Sequence, residues 1–137
     1  MVRNFSDVVK MAQLLKPQAI SADTNTSSFE AAVAQANGFL VQVGTFAFDG
    51  SNKIALKVQT SDDDSTWADA DASELYSPES GAVQKILDAG TDDDQVYHIE
   101  YRGIKRYIRL VLDVTGTVSC LMAVQSLQGY VETKPAA

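Results

Sequence analysis

From residue 39 onward, apolar and polar residues alternate with a period of two between short turn-forming runs. Ile54, Leu56 and Val58 alternate with Ala55, Lys57 and Gln59. Ile108, Leu110, Leu112 and Val114 alternate with Tyr107, Arg109, Val111 and Asp113. Successive side chains of a strand point to opposite faces, so this pattern predicts strands with one dry face and one wet face. Phe39–Phe48 is rich in aromatic and β-branched residues and is closed by Asp49-Gly50-Ser51-Asn52. Strands are also predicted at Trp67, at Val83–Leu87, at Val96–Tyr101, and from Thr117 to about Tyr130, with turn signals between them. About eight short strands at this spacing predict an all-β fold, an antiparallel β-sandwich of jelly-roll type.

The first residues follow a different period. Val8, Met11, Ala12 and Leu15 recur at helical spacing, Asn4 or Ser6 can cap the segment, and Pro17 ends it. The reading is a short N-terminal helix or arm over residues 1–20, a sandwich domain over 21–131 and a loose tail over 132–137. A helix of about 11 residues is marginal alone in water. Its apolar side chains Phe5, Val8, Val9, Met11, Leu14 and Leu15 therefore need a surface to rest on, either a partner or the open edge of the sandwich. Between residues 28 and 37 local propensity favours helix, while the context favours strand, turn, strand with Asn37-Gly38 near the turn; we adopt the strand reading.

Charge narrows the function classes. With 137 residues and a formal net charge of −7, the chain is expected to be one domain that grips neither nucleic acid nor anionic membrane. The first 20 residues do not read as a signal peptide, and no run reaches the ~20 apolar residues of a membrane span. The single cysteine, Cys120, lies in an apolar run and is expected to be a buried thiol that forms no intrachain disulfide.

No catalytic motif appears. His98 is the one histidine and is expected on the wet side of its strand, opposite Tyr97 and Ile99. There is no nucleophile elbow, phosphate loop or dinucleotide fingerprint, so the expectation is a non-enzyme without cofactors. Asp62-Asp63-Asp64 and Asp92-Asp93-Asp94 read as solvated turns, with calcium as the other reading. Trp67 is expected in the core, although exposed aromatics would suit a sugar platform. Arg102, Lys105 and Arg106, with Arg109 nearby, form one basic patch. It either faces an acidic partner or balances the acidic turns.

Two segments carry a resemblance. Val58–Asp69, with its Ser61-Asp62-Asp63-Asp64-Ser65-Thr66-Trp67 hairpin, and Tyr101–Leu110, with Tyr101-Arg102-Gly103-Ile104-Lys105-Arg106-Tyr107, resemble small structural proteins of tailed phages and prophages. The resemblance spans roughly residues 12–131. In that family the hairpin carries glycine where Asp64 stands, at a position that needs a positive φ; aspartate visits such angles more readily than most residues. The same motifs are similar to discoidin-type jelly rolls. The resemblance implies a virion component made in the host cytoplasm. It implies a capsid decoration (cement) protein on the capsid surface that binds the major capsid protein as a homo-oligomer, with a trimer favoured. A carbohydrate-binding module of a tail fibre or spike, or a head–tail or tail structural protein, is the alternative.

Overall fold

The structure, a computed structural model, describes residues 9–31, 36–76 and 78–129. Among the described residues ten strands form two antiparallel sheets: β1 Val9–Ile20, β2 Thr24–Asn25, β3 Phe29–Glu30, β4 Ala36–Val43, β5 Lys53–Ser61, β6 Ala68–Asp69, β7 Val83–Leu87, β8 Val96–Tyr101, β9 Tyr107–Thr115 and β10 Cys120–Gly129. The first sheet has the order β1-β10-β4-β8. In the second, β9 and β5 lie at the centre, β2 and β3 share the outer edge of β9, and β6 and β7 share that of β5. Counting each shared edge as one strand position gives four positions in each layer, and the chain changes sheet at every step except from β5 to β6 and β7, which is jelly-roll connectivity.

The alternation read from the sequence is what closes the sandwich. Ile54, Leu56 and Val58 of β5 and Ile108, Leu110 and Leu112 of β9 are fully buried. They face Phe39 and Val41 of β4, Ile99 of β8, and Cys120, Met122 and Val124 of β10. Each such side chain removed from water contributes about 1.5–3 kcal/mol, less the entropy of ordering it. Burial also pushes the Cys120 thiol pKa up, so the thiol packs as a small hydrophobe.

The N-terminal helix is overturned over its described part. Residues 9–20 are not helical; they form an edge strand that runs antiparallel to β10. Met11 and Ala12, read as one helical face, lie in an unbroken stretch of ladder and point to opposite sides of it; register shifts follow between Gln13 and Leu15 and between Leu15 and Gln18. At the first shift two adjacent residues, Leu14 and Leu15, both turn into the core. There the Ala12 amide donates to Ser126 Oγ at 3.1 Å. Pro17 sits in the second shift, on an edge strand, where a missing N–H costs no ladder bond. Phe5 and Val8 lie outside the described residues.

Asn37 and Gly38 are a second correction: they stand inside β4, not at a turn. Asn37 is buried, and its amide donates to the Ala31 carbonyl while its Oδ1 accepts from Gln128 Nε2, each at 2.9 Å. Gly38 is required by close approach, since a Cβ there would lie 2.2 Å from the Ile99 carbonyl oxygen on β8. The strand reading of residues 28–37 holds at both ends, in β3 and β4; residues 32–35 lie outside the described residues.

Because Leu14 and Leu15 fill the chain's own core, removal of residues 1–16 is expected to destabilise the domain by at least about 3 kcal/mol, the scale of losing buried leucines. Urea unfolding checks this; an unchanged midpoint for the truncated chain contradicts the placement of β1.

Candidate interaction surfaces

The two segments of the phage-like resemblance meet at one end of the sandwich. β5 ends at Ser61 opposite Tyr107, where β9 begins, so the turn after β5 and the loop before β9 are neighbours. Lys105 Nζ reaches Asp62 Oδ2 at 3.0 Å across them. In the turn, Ser61 Oγ accepts the Asp63 and Asp64 amides, and Asp63 Oδ1 accepts the Ser65 and Thr66 amides at 3.0 and 2.8 Å. Asp64 has φ 61°, the left-handed angle expected from the sequence. Its carboxylate accepts from the Ser28 hydroxyl and ties the turn to the β2–β3 link.

The loop from 102 to 106 is held from below by Tyr101. This buried phenol donates to Glu74 Oε2 at 3.1 Å and accepts the Lys105 amide at 3.0 Å. Burial, aided by the Glu74 charge, pushes its pKa up to about 12. Gly103 packs on this junction so closely that a Cβ would come within 2.3 Å of both Tyr101 Oη and Glu74 Oε2. The Arg102 amide donates to the Glu74 carbonyl at 2.6 Å. On this braced loop Ile104 is 95% exposed. Beside it the Arg102 guanidinium lies 4.5 Å from the ring of Tyr76, itself exposed.

The cations of the predicted basic patch are partnered within the chain. Arg102 lies 3.8 Å from Glu100, Lys105 pairs with Asp62, and Arg106 Nε donates to Glu30 Oε2 at 2.7 Å. Arg109 donates twice to Gln59 Oε1. Of these partners, Asp62 belongs to the first acidic turn. Trp67 is corrected as well: it is half-buried on the outside of the second sheet, not in the core, and Arg109 lies 4.4 Å from its ring. One face of the indole is thus covered by the guanidinium. A polar hollow of about 380 Å³ lies alongside, lined by Thr60, Ser61, Asp62, Asp63, Thr66, Ala68 and Lys105.

The second acidic turn spends its carboxylates in the same way. Asp92 Oδ2 accepts the Asp88 and Ala89 amides, Asp93 accepts the Phe46 amide, and Asp94, at φ 53°, accepts the Thr45 hydroxyl. Among the described residues no three His, Cys, Asp or Glu side chains are grouped to hold a metal ion. His98 is exposed on β8, as its strand position predicted.

A different surface went unread in the sequence. The outer face of the first sheet carries Met11, Gln13 and Ala19 of β1, with Leu121, Ala123, Gln125 and Leu127 of β10 opposite. Leu40 and Gln42 of β4 and Val96 and His98 of β8 complete it. Met11, Val96 and Leu121 are each more than half exposed. Glu100, at the rim and beside Arg102, is the charged residue that the register places on this face. The outer face of the second sheet, by contrast, bears Lys53, Lys57, Asp69, Arg109 and Asp113. The signal was available: Cys120-Leu121-Met122-Ala123-Val124 is an unbroken apolar run, the pattern of a strand covered on both sides.

Of the partner-contact residues expected from the sequence, Leu14 and Leu15 are therefore committed to the core, Val9 is half-buried, and Met11 is free on the outer face. Arg102, Lys105 and Arg106 gather at the braced loop, while Phe5 and Val8 lie outside the described residues. No protein-family model matches the chain, and no curated protein matches it.

Two exposed carboxylates predict acid sensitivity. Amide bonds from Thr66 and Ser65 hold the Asp63 pKa below the usual carboxylate range, and amide bonds from Asn52 and Ser51 do the same for Asp49. A depressed folded-state pKa gives stability that is complete above the unfolded value near pH 4 and is lost as pH falls through the lower folded value. Thermal melts between about pH 5 and pH 2.5 should show a falling melting temperature, with a shallower fall in Asp63→Ala. Equal slopes in the two proteins contradict this role for Asp63.

Proposed function

We propose that the protein is a capsid decoration (cement) protein of a tailed-phage particle, which adheres to the major capsid protein and stabilises the head. The observation that carries this reading is the braced loop at the end of the sandwich. The two phage-like segments converge there through Lys105 and Asp62, and the loop holds Ile104 in water on a support of Tyr101, Glu74 and Gly103. An apolar tip fixed in one conformation loses little entropy on docking. Its neighbours Tyr76 and Arg102 are of the residue types that dominate contact energies.

Adhesion of this kind requires no bond chemistry. Each contact can be modest, because a symmetric shell repeats it and several joined modules engage together. Catalysis finds no support in the motifs, and Asp63 and Asp92 are engaged in holding turns. The intrachain pairing of Arg102, Lys105 and Arg106 favours the apolar tip over a basic patch as the part that touches the partner.

Cosedimentation with purified heads that lack the protein tests the reading. The wild-type chain should bind saturably, and Ile104→Asp should bind at least about tenfold more weakly while melting at the same temperature. Absence of binding by the wild-type chain, or equal binding by Ile104→Asp, overturns it.

A further inference from the structure

We propose that the outer face of the β1-β10-β4-β8 sheet is a contact between two copies of this chain, packed face to face about a two-fold axis. The proposal goes beyond the attachment reading and does not rest on it, since the face lies on the side of the sandwich and Ile104 at its end.

Four observations point to a second copy as the occupant. The first is charge. Two chains of net −7 repel each other, and they approach at least cost through a surface without charge. The residues that the register places on this outer face supply such a surface, with Glu100 at its rim, whereas the other outer face carries five ionised side chains among those the register places there.

The second is self-complementarity. A two-fold contact brings the same patch against itself. Gln13, Gln42 and Gln125 present amides that both donate and accept, so each can pair with its own kind, which an ionised group cannot. Leu121 stands 62% exposed beside a depression of about 220 Å³ whose lining includes Pro17, Gln42, Gly44 and Ala123. A projecting side chain next to a hollow on one face is the arrangement in which each copy can fill the other.

The third is the strand itself. The apolar run through β10 is that of a strand buried on both faces, yet on its outer face Leu121 is exposed and Leu127 only half-buried, with Ala123 buried between its neighbours. The fourth is size. Four strands about 4.8 Å apart, with a central β10–β4 ladder of eight pairs at about 3.3 Å per residue, span a face of roughly 20 by 25 Å. The relief of side chains brings its accessible area toward the roughly 800 Å² per partner of a stable interface.

Sedimentation equilibrium at about 50 μM chain should give the mass of two chains. Leu121→Glu and, separately, Val96→Glu place an unpaired carboxylate in the contact, and each should weaken association by at least about 100-fold, giving the mass of one chain. Both residues are exposed, so circular dichroism and melting temperature should match those of the wild-type chain diluted below dissociation. A one-chain or three-chain mass for the wild type, or a two-chain mass that survives both substitutions, overturns the proposal. Head binding measured on the same variants separates this result from the attachment reading, which depends on Ile104.

Discussion

The ladder between β1 and β10 is the interaction on which the rest of the molecule depends. It joins the first described strand to the last, so the sandwich is closed by residues a hundred or more positions apart. It brings Leu14, Leu15 and Ile20 into the core, and it lines Met11 and Gln13 up with Leu127 and Gln125 on the outside. Without β1, β10 would become an edge strand with apolar residues on both faces, a template for unwanted pairing. The two register shifts are the local cost of this arrangement. They let an edge strand deliver two consecutive leucines inward and carry a proline, while the shifts and the proline blunt the edge it presents.

With the core closed in this way, the remaining surface divides by chemistry. The outer face of the second sheet is ionised and solvated. The outer face of the first is apolar and amide-bearing. The end where β5 and β9 meet carries a loop fixed by Tyr101, Glu74 and Gly103 that displays a single isoleucine. The acidic turns supply the rigidity at the ends: their carboxylates cap backbone amides, and at Asp64 and Asp94 aspartate adopts angles more often left to glycine. A rigid body with one displayed tip and one neutral face is suited to adhesion, and its chemistry lies in which groups are left uncharged or exposed.

Much of the fold was legible because period-two alternation survives wherever a strand is regular. β5, β8 and β9 follow the sequence pattern, and even the positive φ of Asp64 could be read from the turn chemistry. β1 was not legible because Met11 and Ala12, which helical spacing puts on one face, point to opposite sides of a regular ladder, while the later shifts turn Leu14 and Leu15 inward together. Asn37-Gly38 was misread because the local turn signal is overridden by contacts from far along the chain, namely Gln128 and the backbone of Ile99. Trp67 was placed inside because large aromatics usually are, whereas Arg109 from a strand 42 positions later supplies its partner on the surface. The basic residues of the candidate site were found, but their neutralisation by Asp62, Glu30 and Glu100 depends on tertiary pairing that spacing does not show.

Amide hydrogen exchange on residues 9–20 tests the central claim most directly. A strand zipped to β10 should protect the ladder amides of this segment nearly as well as those of β10, with faster exchange confined to the shifts around Leu14 and Lys16. Exchange at the rate of unstructured chain throughout the segment, with β10 still protected, would mean that residues 9–20 are a free arm and that the sheet, its core edge and its neutral face are not built as described.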